Sequence, residues 1–326
     1  MHEFGAMAAR ATRSASRKAR VAEAVATGPL GALSHDELGV IVDGLADPLE
    51  PVVAVALSST CLGLRTPLQA ALEVLQQRYA KAQRLCNKVG AWTGDEDHGI
   101  PVTCTRLRDA EYMECKEGLT ADDMATFGMI LRTNGLPKLR FLLLDSNGRG
   151  TEPCGDAGLH MLCQGLGRGA APSLRTLGFG DNTLGQAGAE ALTAAFGRGA
   201  MPKLVTLCLG VNPISNQGAA ALAAPLRKLP ALEHLLLFEC KIGDEGVASL
   251  FADLGKNDFK KLRDISLEKD KITDIGCATL VKAIDDGRLP SLEEVPHLDD
   301  NPATDAALQA VADAFDRLEA RGDGLA

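Results

Sequence analysis

Aligning the chain on Leu-x-x-Leu-x-Leu gives first positions at Leu139, Leu174, Leu204, Leu232, Leu262 and Leu292, spaced by 35, 30, 28, 30 and 30 residues. This period constrains the fold more than any other feature. A unit of about 30 residues cannot bury its own apolar face, so successive units must stack and share one continuous core. Eight residues after each start stands a small polar group: Asn147, Asn182, Asn212, Cys240 and Asp270. In the last unit an inserted Pro296 moves the equivalent place to Asn301.

Two periodicities alternate inside a unit. Leu207 and Leu209 form a period-two pair suited to a short strand, and Gly218, Leu222 and Leu226 follow at spacing four, on one helical face. The helical set recurs as Gly188, Leu192, Phe196, as Gly246, Leu250, Leu254, and as Gly276, Leu280, Ile284. Stacked units then place parallel strands in one wall and helices in the other. The polar residue sits where the chain leaves the strand, where an Asn side chain bridges loop backbone groups that burial would otherwise leave unpaired. Cys240 and Asp270 substitute for it in part.

This pattern, as in L-R-T-L-G-F-G-D-N-T-L-G-Q-A-G-A-E-A-L, resembles the long, ribonuclease-inhibitor-like class of leucine-rich repeats over residues 107–318. A degenerate unit precedes the six, with Tyr112, Leu119, Phe127 and Leu131 in place but Glu114 and Glu117 where a core Leu and the Asn belong. The resemblance implies a right-handed α/β solenoid, a horseshoe of about seven repeats whose first and last units act as caps.

Residues 28–90 lack the repeat and read as a small all-α domain. Ser34 with Glu37 forms a capping box, Leu38, Ile41 and Leu45 share a face, and Pro48, Pro51 and Thr66-Pro67 mark helix boundaries. Leu33, Asp36, Glu37, Leu38, Ile41, Leu45 and Cys61 resemble an F-box, although Ser34 and His35 replace its usual Pro and no Trp follows Cys61. That resemblance implies docking on a Skp1-like ubiquitin-ligase adaptor through Leu33, Leu38, Ile41 and Leu45. The plainer alternative is a helical cap over the first repeat. Residues 91–106 read as a linker and 319–326 as a C-terminal tail. Residues 1–27, rich in Ala, Ser and Arg, read as a disordered basic tail, with an organelle transit peptide or a nuclear signal as alternatives.

Composition narrows the function classes. At 46% hydrophobic but 4% aromatic, with 34 Gly, the core is aliphatic and tightly spaced. A formal charge of −9 argues against nucleic-acid binding by the repeat domain. The basic residues Arg10, Arg13, Arg17, Lys18 and Arg20 are concentrated near the start, which leaves the remainder more acidic still. Nine Cys without C-x-x-C, and no N-glycosylation acceptor, indicate reduced thiols and an intracellular protein, cytoplasmic or nuclear. No apolar run reaches the roughly 18 residues of a membrane span.

Catalytic motifs are weak by comparison. Gly165-x-Gly167-x-Gly169 follows a helix and recurs as Gly197-Arg198-Gly199, so it reads as a helix-ending turn and not a phosphate loop. The six His show no metal-ligand spacing, G-x-S-x-G is absent, and neither a metal nor a cofactor is expected. One enzyme-related alternative rests on Arg149 in the five-residue insertion of the first full unit. Ran GTPase-activating proteins share the repeat class and also carry an Arg in an early extended loop, and an Arg stabilises charge on a transferring phosphoryl group. This chain lacks that family's long acidic tail.

Alternation along each strand places the residues between the core Leu on the open, concave wall. Large apolar groups stand there at Phe141, Leu143, Leu236 and Phe238, with Asp145 and His234 beside them; Glu239, Asp264, Glu268, Glu294 and Asp299 make the far end acidic. Such a surface fits a protein ligand that is both basic and apolar.

Overall fold

In the computed structural model of the chain, the residues described are 47–52, 54–56, 69–92, 102–115, 118–133, 136–145 and 153–322. The F-box-like positions Leu33, Leu38, Ile41, Leu45 and Cys61, and the insertion residues Asn147 and Arg149, lie outside them.

The chain alternates helix and strand: α1 (Gln69–Lys88), β1 (Val89–Trp92), α2 (Cys104–Asp109), β2 (Tyr112–Cys115), α3 (Ala121–Arg132), β3 (Phe141–Leu143), α4 (Gly155–Gly165) and β4 (Thr176–Gly178). Then follow α5 (Gln186–Gly197), β5 (Thr206–Cys208), α6 (Ser215–Arg227), β6 (His234–Leu236), α7 (Asp244–Phe251), β7 (Asp264–Ser266), α8 (Asp274–Asp285) and α9 (Asp305–Gly322). One sheet runs in chain order from β1 to β7, antiparallel between β1 and β2 and parallel thereafter. The result is the expected right-handed α/β solenoid, with seven units if the bridge between Ser266 and His297 is counted for the last.

The Leu frame forms the core. Leu139, Leu142, Leu174, Leu177, Leu204, Leu207, Leu232, Leu235, Leu262 and Ile265 are all buried between sheet and helices. Each such side chain contributes about 1.5–3 kcal/mol over its exposed state. In the degenerate unit the register pairs Met113 with Leu142 and Glu114 with Leu143. Met113 therefore fills the core place, and Glu114 stands on the open face instead of replacing a core Leu. The recurrent helix-start glycines are required by space: a Cβ on Gly246 would lie 2.6 Å from Ile242 Cγ2, and one on Gly276 the same distance from Ile272 Cγ2. Gly165 ends α4 where a Cβ would overlap the backbone of Gly128 in α3, so its role is helix packing.

Both ends of the stack are covered. Leu75, Tyr79, Ala82, Leu85 and Cys86 of α1 are buried, and α1 is tied to the start of α3 by Lys81–Asp122 (2.6 Å) and Lys88–Asp123 (2.7 Å). Ala91 and Trp92 lie in β1 and Cys104–Arg106 in α2, so both ends of the 91–106 stretch carry regular structure. At the other end α9 packs on α8 of the preceding unit, with its Val311, Ala314 and Phe315 buried. Helix α9 continues past residue 318, where Arg321 donates to the Asp285 carbonyl (2.8 Å) and Arg317 pairs with its carboxylate.

Polar side chains connect one unit to the next along the strand exits. Asn212 Oδ1 accepts from the amides of Asn182 (2.9 Å) and Leu184 (2.8 Å), while its Nδ2 donates to the carbonyls of Phe179, Leu209 and Gly210. Asn182 accepts from the Cys154 amide and donates to Leu144 and Gly180; Asn301 accepts from Ile272 and donates to Leu267 and Leu298. The residue before each of these places has positive φ: Asp181 (55°), Val211 (59°), Glu239 (54°), Lys269 (53°) and Asp300 (58°). None is glycine, so the bridging bonds hold a conformation that L-residues disfavour by about 1–2 kcal/mol.

A second ladder runs beside the first, at the first or second residue of the helices. Asp156 Oδ1 accepts from Gly185 and Gly188, Asn216 Oδ1 from Gly243, Asp244 Oδ1 from Thr273 and Gly276, and Asp274 Oδ1 from Thr304. Gly185 and Gly243 are N-caps without a capping side chain of their own. The preceding unit supplies it, and an acidic group there also meets the positive end of the helix dipole.

Asp270 is the strained member of the first ladder. Its Oδ1 accepts from Cys240 (2.8 Å) and Ile242 (2.9 Å), but Oδ2 is buried with no hydrogen-bond partner. By register, an Asn there would direct Nδ2 toward the Leu237 carbonyl, as Asn212 does toward Phe179. Burial pushes the Asp270 carboxyl up to about 7. The folded chain therefore holds a proton that the unfolded chain has released, and this residue's contribution to stability declines as pH rises from about 4 to about 7. Asp270→Asn is expected to exceed the natural chain in unfolding free energy by about 2–4 kcal/mol near pH 8, with the gap closing toward about pH 4. Denaturant unfolding across that range checks it; a gap independent of pH would contradict it.

Candidate functional site

Strand register arranges the open face of the sheet in rows. The first row is Tyr112, Phe141, Thr176, Thr206, His234 and Asp264; the second is Glu114, Leu143, Gly178, Cys208, Leu236 and Ser266. One step further along lie Asp145, Gly180, Gly210, Phe238, Glu268 and Asp299, where Val211 donates to the Phe238 carbonyl and Lys269 to that of Asp299.

The middle of the face is floored with small residues, and large neighbours lean over it from both sides. A Cβ on Gly210 would overlap the Phe238 ring; one on Gly178 would lie 2.9 Å from Leu143 Cδ2 and 3.1 Å from the Asp145 carboxylate. The Gly180 amide donates to Asp145, whose carboxyl burial still holds above the ordinary carboxylate range. Leu143 and Phe238 are consequently half-buried, seated over the backbone of Gly178 and Gly210, and Leu236 is half-buried as well. Phe141 keeps 37% of its surface exposed, with the Tyr112 ring 6.2 Å away and the Arg140 guanidinium 5.8 Å from its centroid. Helix α1 packs on the helix wall, so it does not cover these groups.

The acidic end is partly compensated. Lys269 pairs with Glu239 (3.0 Å), which raises the lysine's proton affinity, and Glu268 accepts from the Ser266 hydroxyl. Asp299 and Asp300 are exposed. Asp264 lies between two histidines: its Oδ2 is 3.4 Å from His234 Nδ1 and its Oδ1 is 3.6 Å from His297 Nε2. His297 Nε2 also lies 3.2 Å from Glu294 Oε2. Sequence spacing does not reveal this cluster, because Asp264 and His297 are 33 positions apart and meet only through the stacking of units. The second ladder also escaped the sequence reading, although an acidic or amide residue twelve places after the start, at Asn216, Asp244 and Asp274, was visible.

A solvent-open depression of about 420 Å³ lies elsewhere, between Ser215, Asn216, Lys241, Asp244, Glu245 and Lys271 at the helix starts. Its charges are mixed, and Asn216 and Asp244 are already engaged in the second ladder. Among the described residues no helix is long and apolar enough to cross a membrane.

Comparison with known proteins agrees with the repeat. The Leucine Rich repeat family matches residues 228–251, from the residue after α6 through β6 to the end of α7. No curated protein matches the chain. Among solved structures, one similar chain comes from the crystal structure of the Rad7 and Elc1 complex in yeast, at 14% identity and a TM-score of 0.32. The alignment covers 62% of this chain and 66% of that one, just under two thirds of its length.

Proposed function

We propose that the protein is an intracellular, non-enzymatic interaction scaffold that holds a protein ligand on the open face of its sheet. The observation that carries this reading is the apolar surface of the exposed Phe141, the half-buried Leu236, and Leu143 and Phe238 seated over the backbone of Gly178 and Gly210, beside the acidic residues Glu268, Glu294 and Asp299. Aromatic groups held in place by packing lose little entropy on binding, and anchors of this kind dominate binding energies. The acidic neighbours favour a ligand with a basic surface and suppress acidic competitors. Phe141→Ser combined with Phe238→Ser is expected to abolish affinity capture of the ligand, with a stability loss of no more than about 2 kcal/mol, because neither ring is fully buried. Identical capture by the natural and double-substituted chains would overturn the assignment of this face.

The finer reading is a substrate receptor of a ubiquitin ligase, joined to a Skp1-like adaptor through Leu33, Leu38, Ile41 and Leu45, and it rests on the sequence resemblance alone. A purified adaptor of that type should be retained by the full chain and lost on Leu38→Asp with Ile41→Asp. Absence of retention by the natural chain removes the ligase reading and leaves the scaffold. The GTPase-activating alternative rests on Arg149, for which the described residues supply no geometry.

A further inference from the structure

The one-residue insertion in the last unit changes which side chains meet β7. In regular units the second and fourth residues after the first Leu face the open side, as Asp264 and Ser266 do after Leu262. In the last unit Glu294 keeps the second place, with its amide on the Arg263 carbonyl, and the extra residue Pro296 brings His297 opposite Ser266. The His297 backbone is fixed on both sides, donating to Ile265 and accepting from Leu267, each at 2.9 Å. Two side chains of the last unit thus converge on one carboxylate of the unit before it.

The donor atoms are spaced as a small metal ion requires. Glu294 Oε2 and His297 Nε2 are 3.2 Å apart, His297 Nε2 and Asp264 Oδ1 are 3.6 Å apart, and ligand atoms of all three residues lie within 4.8 Å of one another. Tetrahedral zinc with bonds of about 2.0–2.1 Å separates its ligand atoms by about 3.3 Å. A second, independent observation points to the same place: Asp264 Oδ1 is buried and accepts no hydrogen bond. The other oxygen of that carboxylate faces His234 Nδ1, an outer contact that orients a metal-bound carboxylate. We propose that Asp264 Oδ1, Glu294 Oε2 and His297 Nε2 form a binding site for a zinc ion, with a fourth position open on the sheet face. An imidazole among the ligands favours zinc over magnesium or calcium, which take oxygen donors. The proposal stands independently of the docking reading.

Zinc titration of the full chain by calorimetry near neutral pH, under a phosphine reductant, tests it. One ion per chain is expected, with a rise in the melting midpoint. His297→Ala and Glu294→Gln should each weaken binding by at least about tenfold, the range seen when a metal site loses a supporting group. His160→Ala, on the exposed side of α4, should leave it unchanged. Glu294 has 62% of its side chain exposed, so its substitution should preserve the metal-free melting midpoint and separate lost binding from lost folding. Cobalt in place of zinc should give visible bands without the near-ultraviolet thiolate charge-transfer absorption that cysteine ligation produces. No binding by the natural chain, binding that survives both substitutions, or thiolate bands would overturn the proposal and leave the cluster an ion pair.

Discussion

Everything on the open face depends on the buried polar groups that tie one unit to the next. Apolar stacking drives the units together, but it is non-directional and tolerates sliding. The carboxamide of Asn212 does not tolerate it: one oxygen takes two amides of the preceding unit, and one nitrogen reaches the Phe179 carbonyl of that unit as well as two carbonyls of its own. Breaking register would leave three backbone groups of the preceding unit, the Asn182 and Leu184 amides and the Phe179 carbonyl, buried and unpaired, at about 1–3 kcal/mol each. The second ladder fixes the helices in the same way, because the starts of α5, α7, α8 and α9 are each capped by an Asp or Asn of the unit before. Strands and helices are therefore locked to the same neighbour by separate sets of bonds.

This locking explains how a face only three residues deep per strand can present a defined surface. Small side chains in β4 and β5 leave a floor, and Phe238 and Asp145 lie across it because no Cβ stands in the way at Gly210 or Gly180. A substitution in the floor would lift the neighbouring unit's large side chains. Surface shape is thus set by pairs of residues about thirty positions apart, each member supplied by a different repeat.

The same distance explains what could be read from the sequence. The Leu frame, the strand-exit Asn and the helix-face spacing repeat locally, so they predict the solenoid and its open face. Met113 was obscured because Tyr112 and Glu114 flank it, and only the pairing of Tyr112 with Phe141 fixes which of the three turns inward. The second ladder carries a visible residue pattern, but its partners are backbone amides, which have no sequence signature. The approach of His297 to Asp264 depends on how a bulge at Pro296 redirects the last unit. Asp270, read as a partial substitute for Asn, carries a cost that composition does not show: a buried oxygen with nothing to accept from.

Hydrogen exchange on Asn212→Ala tests the locking most directly. Loss of the bridge should lower the unfolding free energy by more than about 3 kcal/mol, as several buried backbone groups lose partners together. Protection should fall first at the Asn182 and Leu184 amides and in the peptides of the β4 and β5 units, with the terminal units less affected. A variant whose amides in 176–186 and 204–214 exchange as slowly as those of the natural chain would show that apolar stacking alone sets the register, and would contradict the account.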